Sequence, residues 1–149
     1  MVEIKYNSED VCDHQGVAAI IKNSNGEILM QEHIKYGFWT IPVGKVNFGQ
    51  SVEDGLKQEV FEECNIDIKK LKEIASRKYD YIRDGKNVAV EVHLFEIIEY
   101  SGTIKNKEPN KHKVQEFLSL DKIKNLPYLS DNTLLYLETI GFKREARNL

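Results

Sequence analysis

This chain has few cysteines, no closely spaced histidines and no long apolar stretches. Each of these features argues against a class of protein. Two cysteines among 149 residues, Cys12 and Cys64, make a disulfide framework or a cysteine metal cluster unexpected. The four histidines are widely spaced and show no zinc-binding pattern. No apolar run has the length that crosses a bilayer, and the polar start MVEIKYNSED is unlike a secretion signal. We therefore expect a reduced, cytoplasmic protein without a membrane partner.

Excess charge of one sign is also lacking. The formal net charge is −3, with 30% charged and 41% hydrophobic residues, as in an ordinary globular protein. So small a net charge gives no general attraction to nucleic acid, and we expect no stable nucleic-acid complex. The length suits one domain, 1–149, and we find no internal repeat, low-complexity segment or linker. If the chain associates, a homodimer is the commonest form.

The order of the predicted elements favours an α/β fold. Apolar and β-branched runs predict strands at 16–22, 27–33, 39–46, 72–83, 88–100 and 114–118, the first two joined as a hairpin. Helices are predicted over 52–64 and after Ser130, with a polar surface loop over 101–113. The buried side of the last helix is predicted to comprise Leu134, Leu135, Leu137 and Ile140. A central mixed sheet with a helix on each side is the simplest packing for this order.

The most informative segment runs from Val43 to Ile66, VGKVNFGQSVEDGLKQEVFEECNI. A glycine-containing loop leads into a helix, and Ser51 is a favourable residue to cap the start of that helix. An apolar stripe recurs every fourth residue along the helix, at Val52, Leu56, Val60 and Cys64. One edge of the helix is therefore predicted to face the core, while the neighbouring edge lines a cleft.

Three acids lie in one sector of this helix. At about 3.6 residues per turn, Glu59, Glu62 and Glu63 point in neighbouring directions, and Gly55 one turn earlier is expected to leave open space over them. Their like charges repel, and a hard divalent cation such as Mg²⁺ with bound phosphates would offset that repulsion. The competing interpretation is a solvated acidic face. The glycine loop in front of the helix favours the metal site.

The segment resembles the signature of the Nudix hydrolases, which reads G, five residues, E, seven residues, R-E-apolar-x-E-E-x-G-apolar. The matching residues are Gly44, Glu59, Val60, Glu62, Glu63 and Ile66, and Trp39, Pro42 and Gly49 also lie where that family often has them. Four positions depart from the pattern: Val43, Gln50, Gln58 and Asn65. In the family, a loop glutamate and a helix arginine pair where this chain has Gln50 and Gln58. Two amides can form an uncharged hydrogen bond there, and Asn65 suits a left-handed helix end.

The resemblance implies an α/β/α sandwich and a Mg²⁺-dependent pyrophosphohydrolase, with Mn²⁺ as a substitute ion. Its substrate would be a nucleoside diphosphate linked to a further group. The implied metal ligands are Glu59, Glu63 and the backbone carbonyl of Val43, which survives the change of side chain. Glu62 would hold a second metal ion or help to position water. Glu62 and Glu59 are the predicted catalytic residues, with Glu62 as the base that activates water. Glu108 and Glu116 remain open as alternative bases.

Predicted contacts with the substrate involve Gly44, Lys45 and Phe38. Lys45 is placed to touch phosphate or, equally, to be an exposed lysine at a strand end. Phe38 and Tyr36 lie on a loop where an aromatic ring can stack on a nucleobase. Trp39 has two interpretations, as part of the core or cleft wall, which is favoured, or as a base-stacking platform.

A second hypothesis is a Nudix-like module that senses nucleotides without effective cleavage, because the loop glutamate and the helix arginine are lost. A third hypothesis, an acidic face that docks another protein, leaves the glycine loop unexplained.

Overall fold

Seven strands in two sheets and three helices make up the described part of the chain, residues 14–83 and 85–142 of a computed structural model. The strands are β1 (His14–Ile20), β2 (Ile28–His33), β3 (Trp39–Thr40), β4 (Val43–Lys45), β5 (Ile66–Arg83), β6 (Lys86–Gly102) and β7 (His112–Leu118). The helices are α1 (Val52–Cys64), α2 (Leu120–Lys124) and α3 (Asp131–Thr139). The polar start of the chain, Cys12 and residues 143–149 lie outside the described residues. None of the described helices is long and apolar enough to cross a membrane.

The larger sheet is mixed and has the strand order β4-β1-β6-β5, in which β1 and β6 run parallel. The smaller sheet, β3-β2-β7, is antiparallel. The predicted hairpin between the first two strands forms only next to its turn, and the two strands belong to different sheets. The turn at Gly26 and a bridge from Lys22 to Ile28 are present, but β2 then joins the smaller sheet. Both edges of β1 are already paired, with β4 and β6, so β2 has no free edge to follow.

Strand β1 is buried on both faces, which explains its continuous apolar sequence. Val17 and Ala19 pack in a core with Leu56 and Val60 of α1. Ala18 lies in the opposite core, which contains Leu135, Tyr136 and Leu137 of α3. The predicted α/β/α sandwich is therefore confirmed, with α1 on one face of the mixed sheet and α3 on the other.

The predicted ends of α1 are also confirmed. Ser51 Oγ accepts a hydrogen bond from the backbone N–H of Asp54 at 3.1 Å, which caps the first turn. Asn65 ends the helix in the left-handed conformation, with φ at 67°. In α3, the prediction that Ile140 is buried is wrong, because this side chain is 44% exposed and Tyr136 packs in the core instead.

A buried group of hydroxyls ties α3 to the strand that leads toward the glycine loop. Ser130 Oγ donates to Thr40 Oγ1 at 2.8 Å and accepts from the backbone N–H of Thr133 at 3.2 Å. Thr133 Oγ1 in turn accepts from the backbone N–H of Ile41 at 3.1 Å. Thr40 and Thr133 have no exposed surface, so each of these hydrogen bonds replaces one to water.

Replacing the buried hydroxyl of Thr133 tests this connection. Thr133→Val keeps the shape but leaves the N–H of Ile41 without its acceptor, and should lower the free energy of unfolding by about 1–3 kcal/mol. Urea denaturation measures the change. Thr139→Val removes an exposed hydroxyl that bonds to Leu135 O, and should stay within about 0.5 kcal/mol of wild type. Equal stability of the two variants would contradict the role given to this group.

Candidate metal and catalytic centre

Glu59 extends from α1 over the end of β4. A Cβ built on Gly44 would fall inside the Glu59 side chain, 2.6 Å from its Oε2. The missing side chain of Gly44 is therefore the space that the Glu59 carboxylate occupies. Val43, the residue before, packs its side chain against the core on the α3 face and so anchors the loop backbone beside this carboxylate.

Glu63 is the most deeply buried acid of the helix, with 4% of its surface exposed. The amide nitrogen of Gln31 donates to Glu63 Oε1 at 3.1 Å. Gln115 supports both residues, because its amide donates to Gln31 Oε1 at 2.8 Å and to the backbone carbonyl of Glu63 at 3.2 Å. Strands β2 and β7 thus hold a carboxylate of α1 in a fixed position inside the fold.

Burial and neighbouring charges make these acids hard to ionise. Burial raises the pKa of Glu59 to about 7, and the charges of Glu62 and Glu108 add to the effect. Burial also holds the pKa of Glu63 well above its ordinary value, against the hydrogen bond from Gln31. A divalent cation would replace the protons and stabilise both carboxylates. A set of hard oxygen donors that needs positive charge fits Mg²⁺.

The predicted surface loop lies at this centre, because its backbone is bound to the end of α1. The N–H groups of Lys105 and Lys107 donate to the carbonyls of Cys64 and Glu63, at 2.9 and 3.2 Å. This connection brings Glu108 and His112 to Glu63. One ligand atom from each of these three residues lies within 4.8 Å of the other two. Glu116, the other alternative base, is exposed on β7, where it pairs with Met30.

The loop before α1 is braced without charge. Gln50 donates to Gln58 Oε1 at 2.6 Å, which confirms the predicted hydrogen bond between these amides. Gln50 Oε1 also accepts from the N–H of Asn47 at 3.1 Å. The expectation of open space at Gly55 is wrong. A Cβ there would meet Val46 Cγ2 at 3.0 Å, because the glycine lets the loop pack directly on the helix rather than clearing space for a ligand.

A group of aromatic rings lies next to the acids. The Phe38 ring is 5.5 Å from that of Tyr36 and 5.9 Å from that of Tyr128, between ring centroids. His33 stacks on Tyr36 at 4.6 Å and reaches His112 at 5.7 Å, which connects this group to Glu63. Trp39 packs against the core, in agreement with its interpretation as a core residue. Lys45 is half-buried at the end of β4. Contacts of Lys45, Phe38 and Gly44 with substrate stay predictions.

Sequence reasoning missed Gln31 and Gln115. Each is a single glutamine within a strand, and no spacing or motif distinguishes it from a surface residue. Only the pairing of β2 with β7, which sets the two residues opposite each other, shows that they meet under Glu63.

Comparisons with known proteins agree with this geometry. The NUDIX domain family matches residues 13–136. The chain is 27% identical over 115 residues to the uncharacterized Nudix hydrolase YvcI of Bacillus subtilis, covering 76% of this chain and 71% of that protein. It is 28% identical over 108 residues to the oxidized purine nucleoside triphosphate hydrolase of Danio rerio, covering 72% and 66%. The crystal structure of a MutT NUDIX hydrolase from Burkholderia pseudomallei has a TM-score of 0.69 at 27% identity, covering 86% and 98%.

The chain belongs to the NUDIX family, because the family match spans most of its length. It is a hydrolase of phosphoanhydride bonds, with the pyrophosphohydrolase type of activity on nucleotides.

Adding a methyl group at Gly44 should displace Glu59. Gly44→Ala should weaken Mn²⁺ binding, measured by calorimetry, by about tenfold or more, because Glu59 is a predicted metal ligand and even misorienting a ligand costs about 10–100-fold. Gly16→Ala is the matched control on the neighbouring strand, where a Cβ meets ordinary contacts from 3.4 Å outward. Unchanged affinity in Gly44→Ala would show that Glu59 does not depend on this glycine.

The contribution of Glu59 to the stability of the metal-free protein should be lost as the pH rises. Because folding raises the pKa of Glu59 from 4.5 to about 7, the folded state binds this proton more tightly than the unfolded state. This contribution is therefore fully present below about pH 4.5 and is lost between about pH 4.5 and 7. In EDTA, the melting temperature of Glu59→Gln should fall less from pH 5 to 8 than that of wild type. The exposed acid Glu53 provides the control variant Glu53→Gln, which should keep the wild-type slope. Identical slopes in all three proteins would contradict the assignment.

Proposed function

We propose that the protein is a Mg²⁺-dependent pyrophosphohydrolase that cleaves a phosphoanhydride in a nucleoside diphosphate linked to a further group. The observation that carries this proposal is the crowding of Glu59 and Glu63: burial raises the pKa of both carboxyl groups, and the charge of Glu59 raises the pKa of Glu63 further. The name of the Danio rerio relative, an oxidized purine nucleoside triphosphate hydrolase, supports a nucleotide substrate. The same oxygen donors also accept Mn²⁺.

Glu59, Glu63 and the backbone carbonyl of Val43 would hold the metal ion. When bound, Mg²⁺ supplies positive charge to the phosphate oxygens and so stabilises the leaving phosphate. Glu62 orients a water molecule and takes its proton, while the water oxygen forms a bond to phosphorus and the bridging P–O bond breaks. Glu62 suits this role because it lies on the same sector as Glu59, close enough for its charge to raise the pKa of Glu59.

Two neighbouring surfaces suit the remainder of a nucleotide. Gly44 and Lys45, at the end of β4, adjoin Glu59 and would contact the phosphates. Phe38, together with Tyr36 and Tyr128, offers aromatic rings for stacking a nucleobase. Both surfaces border the acids, so one extended nucleotide could contact the base site and the metal at once. The protein would act in the cytoplasm, as a monomer or a homodimer.

The alternative of a nucleotide sensor was motivated by Gln50 and Gln58. Their 2.6 Å hydrogen bond joins the loop to the helix, which is the structural task of the charged pair in the family. The departure therefore leaves the brace in place, and this supports the hydrolase over a sensor that only binds.

A nucleotide panel with matched variants tests the proposal. Phosphate or pyrophosphate release should be measured in Mg²⁺ and in Mn²⁺ for wild type, Glu62→Gln, Glu63→Gln and Glu53→Gln. Loss of the base in Glu62→Gln should lower kcat by about 10²–10⁴-fold with a smaller change in KM. Glu63→Gln should require a higher metal concentration, and Glu53→Gln should match wild type because Glu53 is exposed at the far end of the helix. Calorimetric nucleotide binding without turnover would instead identify a sensor.

A further inference from the structure

We propose that Glu63, Glu108 and a ring nitrogen of His112 form a mixed oxygen and nitrogen site for a divalent first-row transition metal ion. The acids of α1 supply only oxygen donors, whereas the nitrogen donor, His112, lies at the start of β7, next to the loop that carries Glu108. The proposal deepens the proposed function and rests on it, because Glu63 would be shared between the two metal positions.

The separation of the donor atoms suits one ion. His112 Nε2 lies 3.9 Å from Glu63 Oε1, and the ligand atoms of Glu63, Glu108 and His112 are all within 4.8 Å of one another. With metal–ligand bonds of about 2.1 Å, two ligands of one ion lie about 3.0 Å apart when adjacent and about 4.2 Å apart when opposite. The Glu63–His112 distance already falls in this interval. The third ligand, Glu108, lies within 4.8 Å of both other ligand atoms, a limit about 0.6 Å beyond the distance between opposite ligands.

His112 is neutral, and its Nε2 lone pair accepts from the Gln31 amide, whose place a metal ion would take. Its Nε2 lies 3.3 Å from the amide nitrogen of Gln31, which can only donate, so Nε2 is the acceptor and the ring is neutral. The same amide nitrogen also donates to Glu63 Oε1. Two acceptors from different elements thus converge on one donor, and a cation between them would meet both lone pairs.

The other ring nitrogen is a second, independent observation. His112 is 4% exposed, yet its Nδ1 has no hydrogen-bond partner among the described residues. A buried N–H without a partner costs about 1–3 kcal/mol, so the placement of this ring opposes stability at this position. The backbone holds the residue firmly, since its N–H donates to Glu108 O at 2.9 Å and its carbonyl accepts from Asn106 at 2.8 Å. The ring is therefore retained at Glu63 despite an unsatisfied atom.

The chemistry of the donors indicates the class of ion. Imidazole is a poor ligand for Mg²⁺ but a good one for Mn²⁺, Fe²⁺, Co²⁺ and Zn²⁺, whose affinity for such sites rises along the series from manganese. Lys111, which pairs with Glu108 at 3.9 Å, would be released toward a bound phosphate once Glu108 turned to the metal. The site should therefore bind Mn²⁺ more tightly than Mg²⁺, by an amount that depends on His112.

Pulsed electron paramagnetic resonance of bound Mn²⁺ detects the nitrogen ligand directly. The wild-type protein is loaded with one equivalent of Mn²⁺, with natural histidine and again with ¹⁵N-labelled histidine. We expect a hyperfine coupling between Mn²⁺ and nitrogen whose pattern changes from that of ¹⁴N to that of ¹⁵N when histidine is labelled. This comparison uses only the wild-type protein, so it does not depend on the folding of a variant. His112→Gln should abolish the coupling and weaken Mn²⁺ binding about tenfold or more, with a smaller effect on Mg²⁺. His33→Gln, the neighbouring histidine, should keep the coupling.

The outcomes separate this inference from the proposed function. Bound Mn²⁺ with nucleotide hydrolysis but without histidine coupling would overturn the nitrogen ligand and leave the hydrolase intact. Coupling that persists in His112→Gln and disappears in His33→Gln would also overturn it. Histidine coupling without hydrolysis of any nucleotide would support the metal site and contradict the proposed function.

Discussion

The enforced proximity of Glu59 and Glu63 is the constraint on which the rest of this structure depends. Glu59 lies in the space left by Gly44, and Glu63 is buried next to the side-chain amide of Gln31. Two carboxylates held in this way oppose folding unless protons or a cation neutralise them. This unfavourable contribution to folding is located at the proposed binding site for a metal ion and a phosphoanhydride.

Much of the surrounding structure serves to keep these acids in position. The mixed sheet presents β4 to Glu59, and the smaller sheet presents Gln31 and Gln115 to Glu63. The loop after β6 is fastened to the last carbonyls of α1, so Glu108 and His112 reach the same point from the opposite side. Three separate parts of the chain therefore converge on one helix, and a change in any of them should alter the positions of these acids.

The sequence indicated the local features of this arrangement, and it failed where distant strands decide the outcome. Helix α1, its Ser51 cap, its left-handed end and the Gln50–Gln58 brace all depend on residues within a few turns, and all were predicted. The position of β2 depends on which edges of β1 are occupied, and that depends on strands far along the chain. Gly55 was misread for a similar reason, since the partner that fills its space comes from the loop.

Anomalous diffraction from crystals grown with Mn²⁺ tests the central claim most directly. The account predicts an anomalous peak within bonding distance, about 2.0–2.3 Å, of carboxylate oxygens from both Glu59 and Glu63. It also predicts that Glu63→Gln weakens or removes this peak. A wild-type map without manganese at these carboxylates, at millimolar metal and neutral pH, would contradict the account.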